Sequence, residues 1–246
     1  MDILKNLQSW LQHLTPDAGV GPKLNADQRK ELLAALVSDR AADRWLAAEA
    51  LAEGDPGNEG VTALAALLGD ADPLLRSEAG RALGQIGSKA ARQALLNAAA
   101  TGNRLAQAAA ADGLGVSTGT VETVTALAAL LASDDGIVRQ SAAEALARLD
   151  PPPPARDGAS AAPAIQAALL SLLASDDAPM VRRAAALALA RWGDTDADTA
   201  LVAHHDDERE DSRVRAAAAL ALRQARRTAP APESPGTARS VEEPQA

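Results

Sequence analysis

Two short stretches of this 246-residue sequence contain residue types that enzymes use for catalysis or metal binding. The first, residues 115–119, reads GVSTG and matches the G-x-S-x-G string, which places a nucleophilic serine on a sharp turn between a strand and a helix. The preceding residues, AQAAAADGLG, instead predict a helix that ends at glycine, and no histidine lies in the neighbouring part of the sequence. We therefore predict an ordinary turn at Ser117.

The second stretch groups four residues of metal-ligand type, namely His204, His205, Asp206 and Asp207. Successive residues of a helix point about 100° apart, so these side chains do not converge on one ion. The spacing also differs from the H-E-x-x-H pattern of zinc-binding helices. We interpret this stretch as a solvated acidic helix end and predict no metal site.

Composition disfavours other kinds of chemistry and several classes of partner. The sequence has no cysteine, which rules out thiolate nucleophiles and cysteine-ligated metals. A net charge of −9 and an aromatic content of 1% disfavour nucleic-acid binding, which needs concentrated positive charge and stacking rings. No apolar run approaches the roughly 20 residues that span a bilayer, and no secretory signal is recognisable. We expect a cytoplasmic protein with no cofactor, no nucleic acid and no membrane insertion.

An internal repeat organises the chain. The octapeptide VTALAALL occupies residues 61–68 and recurs at residues 124–131, and each copy is followed by an acidic loop and an Arg that begins an Ala-rich stretch. A repeat of this length predicts a solenoid. Aligning the Arg of each copy gives six units, whose residues in this column are Arg44, Arg76, Gln107, Arg139, Arg182 and Arg215. A Pro-rich insertion at 151–162 interrupts the otherwise even spacing.

Each unit predicts two helices joined by a short turn. In the second unit, Val61, Leu64 and Leu68 follow helical spacing, and so do Leu75 and Ala79 after the turn. The turn itself contains Asp72, a good helix cap, followed by a proline at the favoured first position. One such hairpin cannot bury its apolar stripe alone, so we predict that the hairpins stack.

This pattern resembles the HEAT-repeat family, especially the short bacterial units of phycobilin lyases, over roughly residues 25–227. The resemblance implies an all-α, right-handed α–α superhelix of about six hairpins, with the second helices on the concave side. It also implies a structural ladder of Asp and Arg residues that bond between neighbouring units. The predicted pairs are Asp72 with Arg76, Asp135 with Arg139, Asp177 with Arg182, and Asp207 with Arg215. HEAT-like iron hydroxylases have repeated His-Glu pairs, which this sequence lacks.

We divide the chain into three parts. Residues 1–23 predict an amphipathic helix and a connector, and this helix caps the solenoid, docks a partner or lies on a membrane surface. Residues 24–227 form the solenoid. The insertion at 151–162 is a stiff spacer or a polyproline ligand. The second alternative rests on its P-x-x-P-x-R pattern. Residues 228–246 have almost no large apolar side chain and predict disorder.

A candidate protein-binding face starts at the positions one and five residues after each ladder Arg, where side chains leave the apolar stripe, and continues along the same helices to Glu53 and Arg191. Its members are Trp45, Glu49, Glu53, Arg81, Gln140, Glu144, Arg183 and Arg191. Trp45 either anchors a partner or packs beneath the N-terminal helix, whereas Trp192 aligns with the stripe and is predicted to be core. The change from acidic to basic residues along this face suggests a partner of matching polarity.

These patterns favour a non-catalytic scaffold or adaptor that binds another protein on the concave face. The alternative is a subunit of a tetrapyrrole (bilin) lyase, or a chromophore-binding HEAT protein, in which the concave groove holds the pigment.

Overall fold

The protein is described here by a computed structural model that covers residues 24–152 and 160–228. Within these ranges the chain forms twelve α-helices and no strand, which confirms the all-α prediction. In chain order the helices are α1 (Ala26–Ala35), α2 (Ala41–Glu53), α3 (Gly57–Ala66), α4 (Pro73–Ile86), α5 (Lys89–Thr101), α6 (Arg104–Leu114), α7 (Val121–Leu130), α8 (Gly136–Arg148), α9 (Ala162–Ser175), α10 (Pro179–Trp192), α11 (Thr195–Asp206) and α12 (Ser212–Thr228). The predicted N-terminal helix, most of the Pro-rich insertion and the C-terminal tail lie outside the described residues.

The helices form six consecutive hairpins, α1 with α2 through α11 with α12, as the repeat predicts. The second helices of the hairpins pack against one another in chain order, and extensive contacts join only helices of the same or adjacent hairpins within the described ranges. The first helices contact each other less extensively than the second helices do. The molecule is therefore a single-file solenoid that curves with its second helices on the inner side.

Local sequence signals set the ends of the helices. The Asp72 carboxylate accepts a hydrogen bond from the backbone N–H of Leu74 at 2.9 Å and caps α4, while Pro73 occupies the first position of that helix. At the other end of α4, Gly87 adopts φ 59°, a left-handed conformation that favours glycine and stops the helix. Gly193 follows α10 in an extended conformation.

A hydrophobic core composed mainly of Ala and Leu extends through the stacked hairpins. The largest fully buried side chains come from both helices of the hairpins, among them Leu64, Leu75, Leu95 and Leu146. Trp192 is also buried, and its indole N–H donates to the carbonyl oxygen of Leu146 in the preceding hairpin at 2.8 Å. The prediction that Trp192 belongs to the core is confirmed.

Glycine allows α4 and α6 to approach closely. A Cβ on Gly80 would lie 2.3 Å from the carbonyl oxygen of Ala109, and a Cβ on Gly84 would lie 2.3 Å from that of Gly113. These two contacts, four residues apart on both helices, show that α4 and α6 run side by side in register. Equivalent positions of neighbouring second helices therefore lie in rows across the inner face.

Candidate protein-binding face and the ladder between repeats

The predicted binding residues all lie on second helices. Trp45, Glu53 and Arg191 are exposed, and the indole of Trp45 is 38% accessible. The other five members are partly exposed, namely Glu49, Arg81, Gln140, Glu144 and Arg183. We call the solvent-facing sides of α2, α4, α6, α8, α10 and α12 the inner face.

The charges at the N-terminal end of the inner face form a cluster around Arg81. Arg81 donates to both oxygens of the buried Glu78 carboxylate, at 3.0 and 2.5 Å, and to Gln85 at 2.5 Å. Burial, followed by repulsion from Glu78, raises the pKa of Glu49. In this cluster the carboxylates of Glu49, Glu53 and Glu78 surround the guanidinium of Arg81.

The middle of the face has a second charged group, in which Asp112 of α6 lies 3.7 Å from Arg148 of α8. Burial raises the pKa of Asp112 to about 6; Arg148 opposes the shift and Glu144 adds to it. Glu144 also pairs with Arg183 of the next hairpin at 3.4 Å. The arginines that suggested a basic end are thus partly compensated within the chain, since Arg191 likewise pairs with Asp150.

The ladder column has a different geometry from the predicted one. Arg76 donates to the backbone carbonyl oxygens of Asp70 and Ala71, at 2.6 and 2.9 Å, rather than to Asp72. The predicted pairs of Asp72 with Arg76 and Asp135 with Arg139 are wrong. Both carboxylates cap the helices that they begin, and Asp135 also accepts a hydrogen bond from Arg104 of the preceding unit at 3.2 Å. Four of the ladder arginines instead donate to carbonyl oxygens of the loop that precedes their own helix, namely Arg44, Arg76, Arg139 and Arg182.

Two ladder arginines also bridge to the next unit. Arg139 donates to the Ser133 carbonyl oxygen at 2.8 Å and, through Nε, to the buried Asp176 carboxylate at 2.6 Å. Arg182 likewise donates to the Asp176 carbonyl oxygen at 2.6 Å and to Glu210 at 2.7 Å. Arg139 and Arg182 thus bond to acids of the following unit. The predicted partners were Asp135 for Arg139 and Asp177 for Arg182.

The last unit departs furthest from the predicted pairs. Arg215 donates to the carbonyl oxygen of His205 at 3.2 Å, whereas Asp207 accepts from the backbone N–H of Arg209 at 2.9 Å. His204 Nδ1 lies 2.9 Å from a Glu210 oxygen. Burial acts to raise the pKa of Glu210, but hydrogen bonds from Arg182 and His204 outweigh it and lower this pKa to about 2.

Residues of both stretches with catalytic or metal-ligand residue types make hydrogen bonds within the chain. Ser117 follows α6 in a turn, and its hydroxyl donates to the Leu114 carbonyl oxygen at 2.8 Å, as a turn residue does. Over residues 24–152 and 160–228, no group of three or more His, Cys, Asp or Glu side chains is placed to hold a metal ion. In the same ranges no helix has the length and apolarity to cross a membrane.

Exposed apolar side chains of the inner face were missed by the sequence analysis. Leu74 is 73% accessible and Ile137 is 57% accessible, and each stands two residues before its ladder Arg. The row at this position reads Ala42, Leu74, Leu105, Ile137 and Met180 in the first five units. Its apolar character is visible in the aligned repeats, but the position falls outside the apolar stripe and outside the two columns of the predicted face.

Comparison with known proteins places this arrangement in a family. A model described as HEAT repeats matches residues 29–115 and 157–223, more than half of the chain. The chain belongs to the HEAT-repeat family. No curated protein matches the sequence significantly.

Several solved structures share the HEAT-repeat fold of this chain. YibA of E. coli is 18% identical with a TM-score of 0.56, covering 92% of this chain and 77% of that chain. The complex of CpcE and CpcF of phycocyanin lyase from a Nostoc species is 24% identical with a TM-score of 0.50, covering 67% and 99%. Kap121p, bound there to Pho4p, is 16% identical with a TM-score of 0.51, covering 82% of this chain and 23% of that chain. At these identities the likeness concerns the fold alone.

Proposed function

We propose that this HEAT-repeat chain is a non-catalytic scaffold or adaptor that binds another protein along its inner face. The observation that carries the proposal is the placement of large exposed apolar side chains on second helices. Four different hairpins contribute one each, namely Trp45, Leu74, Ile137 and Leu220. Apolar anchors surrounded by polar groups are typical of protein interfaces.

The surrounding charges support this proposal. Arg81 with Glu78, Asp112 with Arg148, and Glu144 with Arg183 form pairs inside the chain. A partner that covers these pairs does not need to neutralise each charge, so the apolar side chains supply most of the binding energy. The pairs set the orientation of the partner instead.

Affinity capture from an extract of the native host tests the proposed face. We expect Trp45→Ala and Arg183→Glu to lose the same partner that the wild-type chain captures. The matched controls are Val121→Ala, an exposed apolar residue of the first helix α7, and Lys89→Glu, an exposed cation of the first helix α5. Unchanged recovery with both inner-face variants, or loss with the controls, would show that the partner binds elsewhere.

The tetrapyrrole alternative makes a different prediction. A chain whose groove holds a bilin shifts the bilin absorbance to the red on mixing, whereas a protein-binding scaffold leaves the spectrum unchanged. We expect an unchanged spectrum. A saturable red shift in a titration of the full chain would favour the alternative.

A further inference from the structure

A groove between α10 and α12 distinguishes the C-terminal part of the inner face. It has a volume of about 260 Å³ and is lined by Arg183, Leu187, Arg213, Ala216, Ala217 and Leu220. Apart from the two arginines, the lining of the groove is aliphatic. A cavity of this size accommodates about one or two side chains rather than a whole small-molecule ligand.

The position five residues after the ladder residue shows that this groove is a local departure from the repeat. In the first four units it is charged, and its residues are Glu49, Arg81, Asp112 and Glu144. In the last two units it is Leu187 and Leu220, of which Leu220 is 40% accessible. Leu, Arg and Glu have similar helix propensities. An exposed Leu at this position therefore does not stabilise the helix more than a charged residue would. Leu187 packs against the core of the chain, so it is the exposed Leu220 that points to contact with something outside the chain.

The charges at the groove determine which partner fits. Among the described residues, Arg183 donates through Nη1 to Glu144, and Arg213 donates through Nε and Nη2 to Asp211. Each guanidinium has five N–H donors in a fixed fork, so both retain donors for a further carboxylate. Arg223 adds another exposed cation on α12. The groove is thus apolar and lies beside guanidinium groups that are paired within the chain but have further N–H donors.

We propose that this groove docks a short acidic and apolar segment of the partner protein. One large aliphatic or aromatic side chain lies between α10 and α12 against Leu187 and Leu220, and an adjacent carboxylate binds Arg183 and Arg213. This inference rests on the proposed function and specifies the chemistry of the partner at one end of the inner face.

A random peptide library displayed on phage and selected against the full chain tests the proposal. We expect the recovered peptides to share a large apolar residue next to Asp or Glu. Their affinity, measured by fluorescence polarisation, should weaken about tenfold or more in Leu220→Gln, because that variant loses the apolar anchor. It should also weaken in Arg183→Gln, and it should fall steeply as salt is added.

Val202→Gln is the matched control, since Val202 is exposed to a similar extent, 43%, but lies on the first helix α11. Thermal unfolding followed by circular dichroism verifies that each variant is folded. Val202→Gln should bind the peptides as the wild-type chain does. Absence of enrichment, enrichment of basic peptides, or affinity that is insensitive to Leu220→Gln would overturn the proposal.

Two further measurements test two other occupants of the groove, the C-terminal residues 229–246 and a second copy of the chain. A chain that ends at Thr228 should bind the peptides unchanged; tighter binding would show that residues 229–246 compete for the groove and would overturn the assignment to a partner. Light scattering should give the same mass for wild type and Leu220→Gln; a dimer that dissociates in the variant would assign the groove to a second copy. One result would separate this inference from the proposed function. If no peptide binds the groove but capture of the partner is still lost in Trp45→Ala, this inference is overturned and the proposed function is not.

Discussion

At the scale of single residues, Glu210 joins two hairpins through one carboxylate. Its oxygens accept hydrogen bonds from Arg182 of α10, and His204 of α11 lies within hydrogen-bonding distance. The side chain is 8% accessible, so its charge depends on these partners rather than on water. Removing the charge leaves Arg182 half-buried without its main anion.

We predict that Glu210→Gln lowers the free energy of unfolding at pH 7 by about 2–3 kcal/mol, the range for hydrogen bonds to charged groups. In the wild-type chain the pKa of Glu210 is about 2 when folded and 4.5 ordinarily, so its stabilisation is present above pH 4.5 and is lost as the pH falls towards 2. Urea unfolding at pH 7 and at pH 3 measures both effects. An equal loss of stability on acidification in wild type and variant would contradict this assignment.

Asp112 has the opposite linkage. Its pKa is about 6 in the folded chain and 3.8 ordinarily, so the folded state binds the proton more tightly. Its contribution to stability is therefore fully present below pH 3.8 and is lost as the pH rises through 6. Because the carboxylate is partly exposed, solvent screening keeps this contribution to about 1 kcal/mol.

We predict that Asp112→Asn is at least as stable as wild type at pH 7 and shows a flatter stability profile between pH 4 and 7. A carbon-detected NMR titration of the side-chain carboxyl should give a midpoint near 6. A midpoint near 4, or identical profiles for the two proteins, would contradict the prediction.

The sequence identified the ladder column but could not identify its partners. Arg76, Arg139 and Arg182 recur because each repeat carries them at the same position, and this regularity can be read directly. Their acceptors are backbone carbonyl oxygens and the side chains of Asp176 and Glu210, whose positions depend on the path of the loops. The sequence analysis assigned Asp135 to Arg139 and Asp177 to Arg182, which are acids of the same unit, whereas the observed acids belong to the next unit.

At the scale of the elements, the distance between neighbouring second helices determines where a larger side chain can be accommodated. Gly80 lies in the middle of α4, where Ala would normally favour the helix by about 1 kcal/mol. The close approach of α6 reverses this preference, since the added Cβ would lie 2.3 Å from the Ala109 carbonyl oxygen. Backbone cannot move aside as a flexible side chain can.

We predict that Gly80→Ala lowers the free energy of unfolding by about 1–3 kcal/mol, the usual cost of overpacking. Gly136→Ala is the control, because a Cβ there would lie 3.7 Å from its nearest neighbour, Arg139 Nη2. That variant should be neutral or more stable by up to about 1 kcal/mol. Urea unfolding of both variants measures the difference, and equal effects would show that the helices separate readily.

The sequence predicted the helices, their caps and their order, because propensity, spacing and capping residues all agreed. It did not predict the exposed apolar row of Leu74 and Ile137 as part of the face. Apolar periodicity identifies side chains that face the core, whereas these residues stand at the first turns of second helices and face solvent. Only the stacking of the hairpins shows that such positions form a continuous surface.

At the scale of the whole molecule, the extensive contacts of residues 24–152 and 160–228 join neighbouring hairpins, so the stability is approximately a sum over units and interfaces. The end hairpin α11–α12 contacts α9 and α10 through one interface. Its removal takes away that interface and one unit, and leaves the other interfaces in place. The remaining units keep their own cores.

We predict that a chain ending at Asp194 keeps its remaining helices, with a mean residue ellipticity close to that of the wild type. Its free energy of unfolding and its urea slope should both fall, since less surface is buried. Far-ultraviolet circular dichroism and urea titration test this expectation. Loss of most helical signal throughout the remaining chain would show that the hairpins form one indivisible cooperative block.

The single-file arrangement also bears on how the protein emerges from the ribosome. Each hairpin finds its partners within the segment just completed, so no early part must wait for a distant later one. Synthesis at about 5–20 residues per second leaves seconds between successive units, far longer than helices need to form. The growing chain can therefore lengthen as a folded rod during translation, and a nascent end is exposed for no longer than one hairpin takes to appear.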